Sequence, residues 1–319
     1  MDRHDSILLH YQKSDELNVS KKFYRDHITE LFLWMVRADA VSDDVTSKTL
    51  TLIGKGKTQI VTRQEGIIAG LEELKELLAK NTGLAFISKV SDGDRVAKNV
   101  VVAEILGENT EILAYERTIL NILGRMSGVA TETDVLVSSI KNIAEVPYIA
   151  AIRKTPLMMI DKKAVAVGGG LTHRLSLSDE ILIKDNHLGM LQKELNLPTS
   201  EKAAEEAVVK CLQSDKDYFE IEVDTLAQAN AILHTFVKEN TKLKKQKMMT
   251  ILLDNFKPDD AKQFVNSLKK LPVYNSILIE ASGEISAKNL SEWAATGVDV
   301  VSLGAITHSP KVFNFSMQY

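Results

Sequence analysis

The feature that most constrains the fold is a regular alternation of short apolar segments with helical segments in the second half of the chain. The apolar segments are YIAAI, EILI, YFEIEV, MTILL, SILIEA and DVVSLG, and helical stretches such as EKAAEEAVVKCLQ and PDDAKQFVNSL separate most of them. Because this alternation is typical of parallel strands joined by helical crossovers, it predicts an α/β fold with a parallel sheet. Six such strands, several of them nearly all apolar, favour a barrel or part-barrel over a sandwich.

The first third of the chain mixes helical and strand patterns without that regularity. Helical spacing marks KKFYRDHITELFLWMVRADA and LEELKELLAK, and short strand patterns mark TSKTLTL, KTQIVTRQ, GIIAG, LAFISKV and NVVVAEILG. This mixture predicts an α+β unit with an antiparallel sheet. Two further helical segments, EILAYERTILNILGRM and TETDVLVSSIKNI, lie either side of Gly128, so we expect two helices that bridge the halves of the chain.

Composition and charge restrict the class of protein. With 319 residues, 45% of them apolar and 26% charged, the chain has the composition of a soluble globular protein, and its length favours two domains. The net charge is −4, and the one basic run, KLKKQK at 242–247, is interpreted as a solvated segment. We therefore expect no nucleic-acid partner.

Cysteine content and the N-terminal sequence indicate the compartment. Cys211 is the only cysteine, which excludes an internal disulfide and a multi-cysteine zinc site and suits a reducing compartment. The N-terminal stretch MDRHDSILLHYQKSDEL lacks a signal-peptide pattern, and no apolar run approaches the roughly 20 residues that span a bilayer. A cytoplasmic protein without a membrane partner is the expectation.

Polar residues or glycines close or follow each of the six predicted strands. In chain order they are Arg153, Lys154, Lys184, Asp185, Asn186, His187, Glu222, Asp254, Asn255, Glu280, Ser282 and Gly304. In parallel α/β folds the carboxyl ends of the strands form the active-site rim, because the loops there converge around one mouth. Any one of these residues could be an ordinary solvated loop residue, but six polar strand ends together favour a functional rim.

The candidate rim is cationic, although the whole chain is mildly acidic. Its cations are Arg153, Lys154, His173, Arg174 and Lys184. Like charges in one cleft repel each other unless an anion joins them, so the ligand is expected to be polyanionic. The planar fork of arginine suits carboxylate or phosphate and lysine adds a point charge, so the mixture indicates a substrate with two or more acidic groups.

Two other groups of strand-end residues indicate a metal and a phosphate. Glu222 and Asp254 lie on two later strands, and paired carboxylates that face phosphates usually hold Mg²⁺. Ser282, Gly283 and Gly304 lie at the ends of the last two strands, where backbone N–H groups commonly hold a phosphate.

The triple glycine at 168–170 permits two interpretations. It could be a flexible turn, or it could allow close backbone approach to a ligand or the positive φ of a tight turn. The glycines do not form a dinucleotide-binding or P-loop pattern, and no Ser-His-Asp or Cys-His arrangement stands out.

Seven blocks of sequence, in order, resemble the quinolinate phosphoribosyltransferase family, whose members are also called carboxylating nicotinate-nucleotide pyrophosphorylases. The blocks are ERTILNILGRMSGVAT, RKT, GGGLTHRLSLSDEILIKDNH, FEIEVDTL, LLDNF, IEASGEI and GVDVVSLGAITHS. DDVTS, QEGIIAG and DGDRV resemble the N-terminal domain of the same family. The resemblance implies transfer of phosphoribosyl from phosphoribosyl pyrophosphate to quinolinate, which gives nicotinate mononucleotide, pyrophosphate and CO₂ in de novo NAD biosynthesis.

The resemblance also implies an architecture and an assembly. We expect an N-terminal α/β sandwich over residues 1–128, joined by the tail 306–319, and an open α/β barrel over residues 129–305. The resemblance implies a homodimer with a shared active site, and by motif position Arg117 would be donated across the dimer interface.

Individual roles follow from the same motif positions. Arg117, Arg153, Lys154, His173, Arg174 and Lys184 would bind the two quinolinate carboxylates. Glu222 and Asp254 would hold Mg²⁺ and the ribose, and Ser282, Gly283 and Gly304 would hold the 5′-phosphate. Lys154 or Lys184 is expected to assist decarboxylation, so Lys154, Lys184, Glu222 and Asp254 form the expected catalytic set.

The chain departs from the family pattern in three places and leaves two alternatives open. The segment Pro156–Met159 shortens the loop after RKT, and Glu284 replaces a glycine near the predicted phosphate loop. The segment ENTKLKKQKM at 239–248 lengthens the connection between Glu222 and Asp254. One alternative is a sister phosphoribosyltransferase that acts on nicotinate or another small acid, although one carboxylate would not need the whole cationic set. The other is a non-catalytic anion-binding homologue, which would be expected to lose Glu222 and Asp254.

Overall fold

The structure is a computed structural model that describes residues 2–143 and 146–319. The chain divides into two compact units, and each is described by itself. The first unit comprises residues 1–13, 136–152 and 173–303, and the second comprises 14–135, 153–172 and 304–319. The predicted division after residue 128 stays a prediction.

A six-stranded parallel sheet forms the centre of the first unit. Its strands are β6 (Tyr148–Ala151), β7 (Ile181–Ile183), β8 (Tyr218–Val223), β9 (Met248–Asp254), β10 (Ile277–Ser282) and β11 (Val300–Leu303), in the order β6-β11-β10-β9-β8-β7. Within the described residues the edge strands β6 and β7 do not pair with each other, so the sheet is open. The predicted α/β class with an open barrel is confirmed.

The first unit also contains helices, several of which begin with standard N-terminal signals. They are α1 (Arg3–Tyr11), α7 (Asp185–Glu194), α8 (Ser200–Gln213), α9 (Leu226–Asn240), α10 (Pro258–Leu268) and α11 (Leu290–Ala294). Thr199 and Thr225 cap α8 and α9 by accepting backbone N–H groups, and Pro258 opens α10. Cys211 is buried in α8.

The second unit contains the predicted antiparallel sheet. Its strands are β1 (Lys55–Thr62), β3 (Ala85–Ser88), β5 (Val101–Glu108) and β12 (Phe315–Gln318), in the order β12-β1-β5-β3, beside a small pair of β2 (Gly66–Ile67) with β4 (Arg95–Val96). The tail strand β12 pairs with β1 in antiparallel register, Ile60 opposite Met317. The helices are α2 (Lys22–Ala38), α3 (Val45–Leu50), α4 (Leu71–Asn81), α6 (Met159–Val167) and α12 (Ala305–His308).

Two local predictions in this half of the chain are wrong. TSKTLTL, predicted to be a strand, lies mostly in α3, where Asp44 caps the helix by accepting the N–H groups of Thr46 and Ser47. The two helices expected around Gly128 are one helix, α5 (Asn109–Ile140), whose last residues from Leu136 belong to the first unit. A glycine costs a helix only about 1 kcal/mol, and a Cβ at Gly128 would lie 2.1 Å from the carbonyl oxygen of Lys311. The glycine therefore serves close packing and does not end the helix.

Within the described residues, no helix has both the length and the apolar composition required to cross a membrane.

Candidate active site

Four predicted site residues lie at the carboxyl edge of the six-stranded sheet. Lys184 directly follows β7, Glu222 lies near the end of β8, and Asp254 and Ser282 are the last residues of β9 and β10. In the parallel register Asp254 is opposite Ser282. Because β7, β8, β9 and β10 are consecutive neighbours, these side chains share one edge.

An ion pair joins two of these residues. The ammonium group of Lys184 donates a hydrogen bond to Oε2 of Glu222. The Lys184 side chain is 46% exposed and that of Glu222 is 11% exposed, so the pair contributes little to stability, about 1 kcal/mol or less. Its arrangement instead places a cation beside a predicted metal-binding carboxylate, within reach of a ligand.

A cavity of about 350 Å³ adjoins this edge. Its wall includes Glu222, Asp224, Asp254, Asn255 and Asp185, so carboxylate and amide oxygens line much of it. Oxygen ligands of this kind are those that Mg²⁺ prefers. Its volume lies at the low end of the range for small-molecule sites, which is about 300–1,000 Å³.

The loop after β10 comes into close contact with the loop after β9. Gly283 has φ 113°, and a Cβ there would lie 2.5 Å from Oδ1 of Asn255 and 2.8 Å from its backbone nitrogen. Only glycine fits this backbone without strain. Glu284, one of the departures from the family pattern, is exposed.

His173 lies in the interior of the same unit, between two buried carboxylates. Its Nε2 is 3.3 Å from Oε2 of Glu220 and 3.5 Å from Oε2 of Glu280, and its Nδ1 accepts the backbone N–H of Arg174 at 2.7 Å. Glu280 also accepts hydrogen bonds from Tyr11, at 2.6 Å, and from Ser302. Glu280, expected at a strand end, is fully buried within β10, two residues before its last residue.

The protonation of this cluster follows from burial and charge. Burial lowers the pKa of His173, but the two carboxylates outweigh it and raise the pKa to about 9. Burial and the charge of Glu280 raise the pKa of Glu220 to about 7. For Glu280, burial acts upward, but His173 and the hydroxyl donors hold its pKa below the usual range. Nε2 of His173 carries a hydrogen that faces Glu220 and Glu280.

The three groups of this cluster are also close enough to coordinate a cation. In the structure, however, Glu280 is already bonded to two hydroxyl groups and to the imidazole. We therefore describe the cluster as a hydrogen-bonded layer beneath the carboxyl edge. Glu220 is two residues before Glu222 on β8, so the two side chains point to the same face of the sheet.

Arg174 is buried, and its Nη1 donates a hydrogen bond of 3.1 Å to the backbone carbonyl of Glu180. Glu180 precedes β7, whereas Lys184 follows it. The structure therefore brings Lys184, Glu222, Asp254 and Ser282 to one edge and places the imidazole of His173 and Nη1 of Arg174 deeper in the unit. The roles of His173 and Arg174 in substrate binding stay predictions.

The remaining predicted site residues belong to the second unit. Arg153 and Lys154 are exposed in the segment that follows β6, Arg117 is exposed on α5, and Gly304 directly precedes α12. The backbone carbonyl of Lys154 accepts the hydroxyl of Thr307 at 3.0 Å. This bond fixes the main chain at Lys154 and leaves its side chain exposed.

The shortened segment Pro156–Met159 has a defined local structure. The hydroxyl of Thr155 accepts the backbone N–H groups of Leu157 and Met158, at 3.2 and 3.1 Å, and itself donates to Asp161. Met158 has φ 49°, and a positive φ is uncommon for a residue other than glycine. Gly168, at the end of α6, approaches α5 so closely that a Cβ would lie 2.3 Å from the carbonyl oxygen of Ala130. The first glycine of the triple glycine thus serves helix packing.

Sequence reasoning missed the interior partners of His173. Tyr11 lies in an N-terminal segment for which no element was predicted, and Glu220 and Ser302 lie inside apolar strands. A signal for Glu220 and Ser302 existed, since each is two residues before a predicted site residue, Glu222 or Gly304.

Comparison with known proteins gives consistent matches over most of the chain. The family model for the N-terminal domain of quinolinate phosphoribosyl transferase matches residues 44–127, and that for its C-terminal domain matches residues 129–318. A probable carboxylating nicotinate-nucleotide pyrophosphorylase from Methanothermobacter thermautotrophicus is 32% identical over 289 residues, 89% of this chain and 96% of that protein. The Bacillus subtilis protein of the same name is 34% identical over 284 residues, 88% and 89% of the two chains. The solved nicotinate-nucleotide pyrophosphorylase of Francisella tularensis matches with a TM-score of 0.75 and 30% identity, over 92% of this chain and 96% of that one.

Proposed function

The chain belongs to the quinolinate phosphoribosyltransferase family, and we infer that it transfers phosphoribosyl from phosphoribosyl pyrophosphate to quinolinate with decarboxylation. The products are nicotinate mononucleotide, pyrophosphate and CO₂, so the enzyme acts in de novo NAD biosynthesis. The observation that carries this proposal is the match of both family domains, in order, over residues 44–127 and 129–318. The lysine, carboxylate and serine groups at one sheet edge support it.

We propose that Glu222 and Asp254 hold Mg²⁺. Both line the cavity at the carboxyl edge, and both offer carboxylate oxygens in a partly exposed position. The donor set therefore fits a hard divalent cation that keeps several waters. When bound, Mg²⁺ would neutralise charge on the pyrophosphate as that group leaves.

The residues of this chain would contribute mainly position and charge. In the transfer, the bond from C1′ of the ribose to pyrophosphate breaks and a bond from C1′ to the pyridine nitrogen forms, so positive charge develops on the sugar. Glu222 and Asp254 would stabilise that charge, because carboxylates fixed in place need no reorganisation as it develops. Holding the two substrates together would supply much of the remaining acceleration.

Decarboxylation follows from the cationic ring that the transfer creates. The carboxylate adjacent to the ring nitrogen leaves as CO₂, its bonding electrons remain on the ring carbon, and a proton must then reach that carbon. We propose that Lys184 or Lys154 assists this step. Lys184 is held at the sheet edge by Glu222, and Lys154 is exposed after β6.

We propose which residues bind quinolinate and the 5′-phosphate from the motif position of each residue and from its place in the structure. Arg117, Arg153, Lys154, His173, Arg174 and Lys184 would bind the quinolinate carboxylates. Ser282, Gly283 and Gly304 would bind the 5′-phosphate, and the positive φ of Gly283 turns the chain sharply at that point. A homodimer, with Arg117 donated to the neighbouring subunit, is proposed on the resemblance alone.

One assay tests the function. Purified protein is incubated with Mg²⁺, phosphoribosyl pyrophosphate and either quinolinate or nicotinate, and nicotinate mononucleotide is measured together with released CO₂. Product from quinolinate only is expected. Product from nicotinate only would indicate the sister activity, and no product from either acid would indicate a non-catalytic anion-binding protein.

A further inference from the structure

The N-terminal helix α1 is anchored to the first unit, although it precedes residue 44, where the family-model matches begin. Near its start, Arg3 donates to both carboxylate oxygens of Asp299, at 2.5 and 2.6 Å, and its guanidinium lies 3.9 Å from the ring centre of Tyr274. Asp299 precedes β11 and Tyr274 precedes β10. The beginning of the helix is therefore fixed at the amino-terminal side of these two strands.

The other end of α1 is fixed two strands away, near β7 and β8. The ring of His10 stacks on that of Tyr218 with 3.7 Å between centroids, and its Nδ1 is 3.1 Å from Glu180. Tyr218 begins β8 and Glu180 precedes β7. The helix thus crosses the amino ends of the strands, on the side opposite to Lys184 and Asp254.

Tyr11, the last residue of α1, contacts His173 in three ways. Its backbone carbonyl accepts the N–H of His173 at 2.8 Å, and the two rings meet edge to face with 5.0 Å between centroids. Its hydroxyl donates to Oε2 of Glu280 at 2.6 Å, the same oxygen that lies 3.5 Å from Nε2 of His173. Tyr11 is 1% exposed, so these contacts are shielded from water.

The backbone at His173 needs such support. Its φ of 53° lies in the left-handed region, which is unfavourable for a residue other than glycine and persists only where the surroundings hold it. The next residue is Arg174, whose N–H bonds the His173 ring. The position of this two-residue segment therefore depends on contacts that Tyr11 makes.

We propose that Tyr11 is a positioning residue for the acid substrate: through Glu280 and the backbone of His173 it holds the His173–Arg174 segment in the geometry that binds the quinolinate carboxylates. This inference rests on the proposed function. The predicted contacts to the phosphoribosyl group come from Glu222, Asp254 and Ser282, and not from the His173–Arg174 segment. Loss of the Tyr11 hydroxyl should therefore affect quinolinate more than phosphoribosyl pyrophosphate.

The test compares Tyr11→Phe with Tyr24→Phe as a matched control. Tyr24 is also a buried tyrosine whose hydroxyl donates to a buried glutamate, Glu73, at 2.8 Å, but both of these residues belong to the second unit. For Tyr11→Phe we expect the KM for quinolinate to rise about tenfold, equivalent to about 1.4 kcal/mol, with a change in the KM for phosphoribosyl pyrophosphate of about twofold or less. For Tyr24→Phe both constants should stay within about twofold of the wild-type values. The dissociation constant of quinolinate, measured by calorimetry, should rise in parallel for Tyr11→Phe.

Three outcomes would overturn the positioning role while leaving the proposed function intact: an unchanged KM for quinolinate in Tyr11→Phe, an equal rise in both KM values, or the same rise in Tyr24→Phe. A wild-type enzyme that makes no product from quinolinate would instead overturn the proposed function, and the positioning role with it. If Tyr11→Phe does not fold, Glu280→Gln replaces it, because the amide removes one of the two carboxylates at Nε2 of His173. The same selective rise in KM is expected, and an unchanged value contradicts the proposal.

Discussion

Both carboxylate oxygens of Asp161 accept hydrogen bonds from Arg125, at 2.8 Å from Nε and 2.7 Å from Nη2. Asp161 is fully buried, and it also accepts the hydroxyl of Thr155. The same guanidinium donates to the backbone carbonyl of Thr307. One buried ion pair therefore ties α5 and α6 to the segment after Lys154 and to α12, all within the second unit.

Removal of Arg125 should strongly destabilise the protein. Arg125→Ala leaves the carboxylate of Asp161 buried without its cation, which typically costs about 3–5 kcal/mol. Arg125→Lys is the control, since it retains the charge and loses the bidentate geometry, and we expect it to lose less stability. Urea denaturation monitored by circular dichroism measures both; a loss below about 1 kcal/mol in Arg125→Ala would contradict this account of the pair.

Glu73 should make stability depend on pH near neutrality. Burial, with a smaller contribution from Asp92, raises the pKa of Glu73 from 4.5 to about 7, and the hydroxyl of Tyr24 donates to it at 2.8 Å. Because the folded pKa is the higher one, the stabilising contribution is complete below about pH 4.5 and disappears as the pH rises through about 7. The free energy of unfolding should thereby fall by up to about 3 kcal/mol from this group.

The variant Glu73→Gln isolates that contribution. The amide that replaces the carboxyl group does not titrate. Between about pH 5 and pH 8 the unfolding free energy of wild type should therefore fall relative to that of the variant. Glu76→Gln, which removes a partly exposed partner of Lys80 on the same helix, should show no such shift. Equal pH slopes for wild type and Glu73→Gln would show that Glu73 ionises normally.

Most of the fold could be predicted from local patterns, because the buried strands of a parallel sheet are apolar throughout and their crossovers are amphipathic. All six predicted strands of the second half are present. The errors at α3 and Gly128 have another origin. Asp44 caps a short helix whose apolar pattern resembles a strand. A glycine is required at position 128 because the backbone of Lys311, which is distant in sequence, approaches the helix there.

The candidate site could be predicted only where topology fixes it. Residues at the ends of neighbouring parallel strands must meet, so Lys184, Glu222, Asp254 and Ser282 were predictable from the order of strands. The neighbours of His173 were not, because a buried histidine can find its partners on any element that packs against it. Tyr11 is 162 residues away in sequence and belongs to a helix of nine residues for which no element was predicted.

Glu222 should be needed for turnover. Glu222→Gln keeps the size of the side chain and removes the charge that would stabilise the developing positive charge on the ribose, so kcat should fall by about 10²–10³. Glu194→Gln is the control. It changes an exposed carboxylate at the C-terminal end of α7, the helix that follows Lys184, and should leave kcat near the wild-type value. Retention of more than about a tenth of the activity by Glu222→Gln would exclude this role.

Activity should require a divalent cation held in part by Asp254. Removal of metal with a chelator should abolish product formation, and added Mg²⁺ should restore it. Asp254→Asn retains an oxygen that can accept from Asn255, as Oδ2 of Asp254 does at 2.7 Å, but it loses the charge. We expect the Mg²⁺ concentration for half-maximal activity to rise about tenfold or more. Full activity without metal would contradict the proposed Mg²⁺ site.

A shared active site predicts recovery of activity from two inactive variants. Arg117→Ala and Lys154→Ala should each be inactive alone, since each removes a cation proposed to bind quinolinate. After subunit exchange, half of the dimers are mixed, and one of the two sites in each mixed dimer has both residues intact. In a two-fold symmetric dimer this restores about a quarter of the wild-type rate.

Arg153→Ala mixed with Lys154→Ala is the control, because both residues would lie in the same subunit's half of the site and no mixed dimer has an intact pair. If exchange is verified by mass spectrometry and activity stays at the level of the separate variants, Arg117 acts within its own subunit or has no role in binding.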